Sequence, residues 1–134
     1  MRNVEHIGIA VKSFSEANQV YERLLGVVPY KTEPVASEGV NTSFFKVGGT
    51  KIELLEATSE DSAIAKFIAR KGEGLHHVAF EVEDIVTEMA RLKQEGFVLL
   101  NEQPKKGADN KLVCFVHPKS AHGVLIELTQ EIRS

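Results

Sequence analysis

Apolar residues alternate with small or polar ones from His6 to Val11, where Ile7, Ile9 and Val11 fall on one side and His6, Gly8 and Ala10 on the other. That period of two predicts a half-buried strand. From Ser13 the period changes. Ala17, Val20, Tyr21, Leu24 and Leu25 recur at helical spacing, Ser13 with Glu16 makes a capping box, and Gly26 closes the run, which predicts an amphipathic helix. The same order returns further on. His77 to Val82 alternates as His6 to Val11 does, with Val78, Phe80 and Val82 on one side and His77, Ala79 and Glu81 on the other. Asp84 then caps a helix whose apolar face carries Ile85, Met89 and Leu92 and which ends at Gly96.

The recurrence covers most of the chain. His77 follows His6 by 71 residues, Phe115 follows Phe45 by 70, and Ile126 follows Ile52 by 74, so a longer turn between Pro118 and Gly123 absorbs the difference. Strands are predicted over 41–47, 51–56, 97–100, 112–116 and 124–129 from β-branched and aromatic content between Gly and Pro breaks. A connecting helix is predicted over 59–71, with Ile64, Phe67 and Ile68 at helical spacing before Gly72. The pattern predicts an α+β fold of two βαβββ modules in tandem. Module one spans about 4–57 and module two about 75–129, within a single domain over 1–134.

Composition narrows the class. The chain has 134 residues, 43% hydrophobic and 26% charged, enough for a core without disulfide staples. A formal charge of −3 with no basic block beyond pairs such as Lys105-Lys106 argues against a nucleic-acid partner. No apolar run approaches the ~20 residues that span a bilayer. The N-terminus carries no signal-like segment, and the one cysteine, Cys114, sits in an apolar run. Together these predict a cytoplasmic protein, most simply bacterial, in a reducing compartment.

The alternation places chemistry at matched positions. His6 and His77 start equivalent strands beside small residues, and Glu53 and Glu127 are each flanked by Ile and Leu that point the other way. A single strand histidine is more often surface or core than ligand, and a Glu between apolar residues is more often simply solvent-facing. The matched recurrence of both residue types is what a solvated face leaves unexplained. If the two sheets meet about a pseudo-twofold axis, His6, Glu53, His77 and Glu127 converge in a cleft. Such a mixed nitrogen and oxygen set suits divalent Zn, Co, Mn, Ni or Fe. His76 is predicted to pack or hydrogen-bond on the opposite side, and His117 and His122 lie in a turn where solvent exposure or substrate contact is expected. The turn from Pro118 to Gly123 could equally be an anion contact or an ordinary lysine-bearing turn.

A repeat with His-x-Gly/Ala on the first strand of each module and Glu near each module's end resembles the vicinal oxygen chelate (glyoxalase/bleomycin resistance/dioxygenase) superfamily. The segments Val4 to Val11, Gly74-Leu75-His76-His77-Val78-Ala79, and His117-Pro118-Lys119-Ser120 followed by Gly123 to Leu128 are similar to its methylmalonyl-CoA epimerase family. That resemblance runs from Val4 to Thr129. It implies a glyoxalase-like fold with a metal-binding cleft and interconversion of the 2R and 2S forms of an acyl-CoA through an enolate. It implies His6, Glu53, His77 and Glu127 as ligands of a divalent metal, Glu127 as one catalytic base, and a homodimer. Some family members carry a second Glu where this chain has Thr42, so the resemblance leaves the second base and the substrate-binding residues unassigned. Its rivals are another metal-dependent glyoxalase-like enzyme, a dioxygenase, and a metal-free small-molecule binder of the same fold.

Overall fold

A computed structural model describes residues 1–132, so the last two positions of the expected 1–134 domain lie outside the described residues. In chain order the elements are β1 (Asn3–Val11), α1 (Phe14–Leu25), β2 (Lys31–Val35), β3 (Val40–Val47), β4 (Thr50–Ala57), α2 (Ala63–Lys71), β5 (Gly74–Glu81), α3 (Ile85–Gln94), β6 (Lys105–Lys106), β7 (Lys111–Val116) and β8 (Ile126–Glu131). Each half is β-α-β-β-β, as the periodicity predicts. The chain divides into two compact units, one of His6–His76 and one of His77 onward with Met1–Glu5.

In the first unit the strands lie in the order β2-β3-β4-β1, with β1 parallel to β4 and the other pairs antiparallel. One face packs on α1: Val11, Phe45 and Leu54 are buried, with Ile9, Ile52, Ala17, Tyr21 and Leu25 against them. The helix starts where expected, since Ser13 caps it by accepting from the Glu16 N–H, and it ends at Gly26 in the left-handed region at φ 74°. Its apolar stripe is narrower than the spacing suggests. Leu24 is 70% exposed and Val20 48%, because only the Ala17, Tyr21 and Leu25 side meets the sheet.

The second unit repeats the plan in the order β5-β8-β7-β6. Val82, Ile85, Met89, Leu92, Cys114, Val116 and Leu128 form its core. Asp84 caps α3 by accepting from the Thr87 N–H. The N-terminal residues join this unit, with the Arg2 N–H donating to the Glu81 carbonyl at 2.9 Å. Cys114 is buried as expected, and desolvation raises its thiol pKa above the ordinary value.

Three sequence expectations shift, and one strand is unanticipated. The strand over 97–100 reduces to one bridge between Leu99 and Val116, because side chains take ladder positions there: Ser120 Oγ accepts from the Val98 N–H at 3.0 Å and Asn101 Oδ1 from the Phe115 N–H at 2.9 Å. The connecting helix begins at Ala63 rather than 59, because Ser62 is its cap and the Ser62 N–H turns back to the Ser59 carbonyl. The last strand starts at Ile126, as the Val124 N–H bonds the Ala121 carbonyl inside the preceding turn. Finally β2, which no expectation covered, is an edge strand of Lys-Thr-Glu-Pro-Val, where a proline is tolerated.

The packing predicts unequal costs for two leucines. Leu128→Ala should lose roughly 2–5 kcal/mol of stability to cavity formation, whereas Leu24→Ala should stay within about 0.5 kcal/mol; urea denaturation followed by circular dichroism measures both.

Candidate active site

Residues directly opposed on neighbouring strands project to the same face, and so do residues two apart along a strand. In the first unit Gly8 opposes Glu53, Glu53 opposes Phe44, and Phe44 opposes Lys31. One row over, His6 opposes Lys51 and Lys51 opposes Lys46. His6 and Glu53 therefore share the face turned away from α1. They meet: His6 Nδ1 lies 3.1 Å from Glu53 Oε2, with both side chains 6% exposed.

The second unit builds the same pair. Ala79 opposes Glu127, Glu127 opposes Phe115, and His77 lies two residues before Ala79 on the same face. His77 Nε2 is 3.1 Å from Glu127 Oε1, again with both side chains nearly buried. The Phe115 ring meets the His77 ring edge-on at 6.0 Å and so walls that pair on one side. Small neighbours are what the site requires, since Gly8 and Ala79 leave room beside the imidazoles.

The donor chemistry of these pairs fits a divalent cation. Two cis ligands at ordinary metal–nitrogen and metal–oxygen distances of about 2.1 Å stand roughly 3 Å apart, which is the separation seen within each His–Glu pair. Imidazole and carboxylate together suit borderline divalent ions. Buried histidine–carboxylate pairs are otherwise weak contributors to stability, because desolvation offsets their attraction.

The remaining sequence candidates take other roles. Thr42 is fully buried on the same face as Glu53, opposite Glu33, and its hydroxyl has no partner among the described residues. An aliphatic alcohol is far too weak a base at neutral pH to take a proton from carbon. His76 packs edge-on against Phe67 at 5.0 Å, in line with its expected packing role. His117 Nδ1 accepts from the Lys119 N–H at 3.0 Å and caps the short 3-10 turn Pro118–Ala121. His122 follows in the left-handed region at φ 54°.

Sequence reasoning missed the surroundings of the carboxylates. Phe44 and Phe115 occupy the same place beside Glu53 and Glu127, and each carries a lysine over its ring: Lys31 Nζ is 5.2 Å from the Phe44 centroid and Lys105 Nζ 5.7 Å from that of Phe115. Only strand register reveals this. The offset that pairs Phe45 with Phe115 in the sequence is one residue out of step with the register that pairs Phe44 with Phe115.

Comparison with known proteins agrees with this architecture. Residues 5–115 match the glyoxalase/bleomycin resistance protein/dioxygenase superfamily, which defines the class as a glyoxalase-like fold. The ethylmalonyl-CoA/methylmalonyl-CoA epimerase of Cereibacter sphaeroides is 40% identical over 129 residues, covering 95% of this chain and 96% of that protein. The uncharacterized protein YqjC of Bacillus subtilis is 37% identical over 130 residues, 97% of this chain and 93% of that one. A substituted form of Streptomyces coelicolor methylmalonyl-CoA epimerase, solved in complex with 2-nitronate-propionyl-CoA, superposes with a TM-score of 0.95 at 33% identity over 99% of both chains. The chain belongs to the methylmalonyl-CoA epimerase family of that superfamily.

The buried pairs predict a double-mutant signature in chelator-treated protein. His77→Ala alone should cost about 3–5 kcal/mol by leaving the Glu127 carboxylate buried beside a void, and adding Glu127→Leu should recover part of that loss. Denaturant titration of the wild type, both single variants and the double variant measures the coupling.

Proposed function

We infer that this chain catalyses epimerisation at the carbon between the thioester and the carboxylate of methylmalonyl-CoA. The observation that carries the reading is the buried carboxylate of Glu127, held 3.1 Å from His77, in a chain 40% identical to a named epimerase along nearly its whole length. The reading extends to His6, Glu53, His77 and Glu127 as the ligands of one divalent ion, each module contributing an equivalent His–Glu pair. It also takes the protein to be a cytoplasmic homodimer. A buried thiol fits a reducing compartment, and among the described residues no helix is long and apolar enough to cross a membrane.

The chemistry asks three things of the site. A carbon acid must be deprotonated, the charge that develops on the thioester oxygen must be stabilised, and a proton must return on the opposite face. A bound divalent cation supplies Lewis-acid stabilisation of that developing oxygen charge. Glu127 is the base on one face: one carboxylate oxygen stays with the His77 pair, and the carboxylate takes the α-proton and returns it. His6 and His77, each braced by a carboxylate at 3.1 Å, hold fixed ring orientations. That fixes the donor directions before substrate arrives and lowers the reorganisation needed during proton transfer. Burial of both pairs keeps bulk water from competing for the developing charge. Thr42 cannot take the second proton-transfer role itself, so the opposite face needs a stronger base than the residue at that position.

Epimerisation through an enolate exchanges the α-proton with solvent. With wild-type protein and added divalent metal, one epimer of methylmalonyl-CoA in deuterated water should take up label and lose stereochemical purity, and a chelator should stop both. Glu127→Gln, which keeps shape and removes the base, should retain less than about a tenth of the wild-type kcat. Label uptake by neither epimer, with any of the candidate metals, contradicts the reading and directs attention to glutathione hemithioacetals or to ligand sequestration.

A further inference from the structure

We propose that Phe115 is a positioning residue: its ring fixes the His77 imidazole with Nε2 on Glu127 and thereby sets how tightly that half of the site holds a divalent ion. The proposal rests on the reading of His77 and Glu127 as metal ligands and adds to it the residue that orients them.

Phe115 stands outside the core. It alternates along β7 with Cys114 and Val116, whose side chains pack on the α3 side of the sheet. The Phe115 ring therefore projects from the opposite face, where Glu127 is its direct neighbour on β8. A large apolar ring that is only partly buried gains less from leaving water than one in the core. What it meets there is an imidazole. The Phe115 and His77 ring centroids are 6.0 Å apart and the ring planes cross at 88°, an edge-to-face contact that is both favourable and directional.

The backbone brings these side chains close. The Phe115 N–H donates to Asn101 Oδ1 at 2.9 Å, and the Phe115 carbonyl accepts from the Leu100 N–H at 2.8 Å. Both backbone groups thus point away from β8. That makes Phe115 and Glu127 the non-hydrogen-bonded kind of antiparallel pair, with Cα atoms about 4.5 Å apart and side chains at their closest. In the first unit the equivalent Phe44 is backed by the paired strand β2, whereas in the second the Asn101 amide takes that place. Lys105 Nζ, 5.7 Å from the Phe115 centroid, adds an attraction to the ring face. The ring is held through its backbone and over its face.

A fixed ring has a consequence for His77. A carboxylate only accepts, so the 3.1 Å contact between His77 Nε2 and Glu127 Oε1 places a hydrogen on Nε2 in the metal-free protein. A half-turn of the imidazole would put a carbon where Nε2 stands, breaking the pair and removing the nitrogen donor. Phe115, perpendicular to the imidazole, stands in the way of that turn. Contacts that orient a ligand before the ion arrives are worth about tenfold or more in metal affinity.

The test titrates cobalt(II) into metal-free protein and reads the imidazole by NMR, from cross-relaxation between the Phe115 and His77 ring protons and from the His77 nitrogen shifts. Wild-type protein should show one imidazole orientation, with the hydrogen on Nε2. Phe115→Leu should bind cobalt about tenfold more weakly and show more than one orientation, while Phe115→Tyr, which keeps the ring, should stay within about twofold of wild type. Leu112→Ala separates orientation from general loss of stability, because Leu112 packs against the core on the other face of the same strand. It should melt at a lower temperature and keep its cobalt affinity within about twofold. Phe115→Met, similar in bulk and without a ring, takes the place of Phe115→Leu if that variant does not fold. A cobalt affinity unchanged by loss of the ring, an equal loss of affinity in Leu112→Ala, or two imidazole orientations in the wild type would overturn the proposal. If the wild type binds no cobalt, the metal reading fails instead, and the imidazole orientations with and without the ring still decide whether Phe115 orients His77.

Discussion

Each module buries an imidazole beside a carboxylate, and this sets where the folding energy has to come from. Neither His6–Glu53 nor His77–Glu127 can contribute much net stability, because taking both partners out of water offsets most of their attraction. The folding energy must therefore come from the other side of the same strands. There Val11, Phe45 and Leu54 pack on α1 in the first unit, and Val82, Cys114, Val116 and Leu128 pack with α3 residues in the second. Strand alternation makes this division possible: every second residue belongs to a core and every other residue is released for chemistry.

Repetition explains what the site has, and its exceptions explain what makes it asymmetric. The pair, the adjacent aromatic ring and the lysine above that ring occur in both modules. Away from that shared set the modules diverge. Thr42 stands beyond Phe44 where Val113 stands beyond Phe115, and Leu55 stands beyond Glu53 where Thr129 stands beyond Glu127. Glu127 and Glu53 are alike in burial and unlike in what surrounds them.

Much of this was legible in the sequence because alternation is a local signal. The two His strands, the caps at Ser13 and Asp84, and the placement of Glu53 and Glu127 opposite their apolar neighbours all follow from spacings within a few residues. What was not legible depended on partners distant in the chain. The strand Lys31–Val35 shows no apolar alternation because it lies at an edge and borrows its order from β3. The expected strand over 97–100 failed because Ser120 and Asn101 supply the hydrogen bonds that a neighbouring backbone would have made. Leu24 has the right spacing for the α1 core face but lies beyond the width of sheet that the helix covers. The lysines over Phe44 and Phe115 emerge only from register, since Lys31 and Phe44, like Lys105 and Phe115, lie on different strands.

We propose that His6, Glu53, His77 and Glu127 are ligands of a single divalent ion. Metal content per chain, measured by mass spectrometry on protein loaded with cobalt or zinc and then gel-filtered, tests it most directly when the wild type is set beside His6→Ala and His77→Ala. Under that proposal the wild type carries one ion per chain and either variant loses it, because each removes one of its ligands. Two ions per chain, with each variant losing only one, or full retention in either variant, would contradict it.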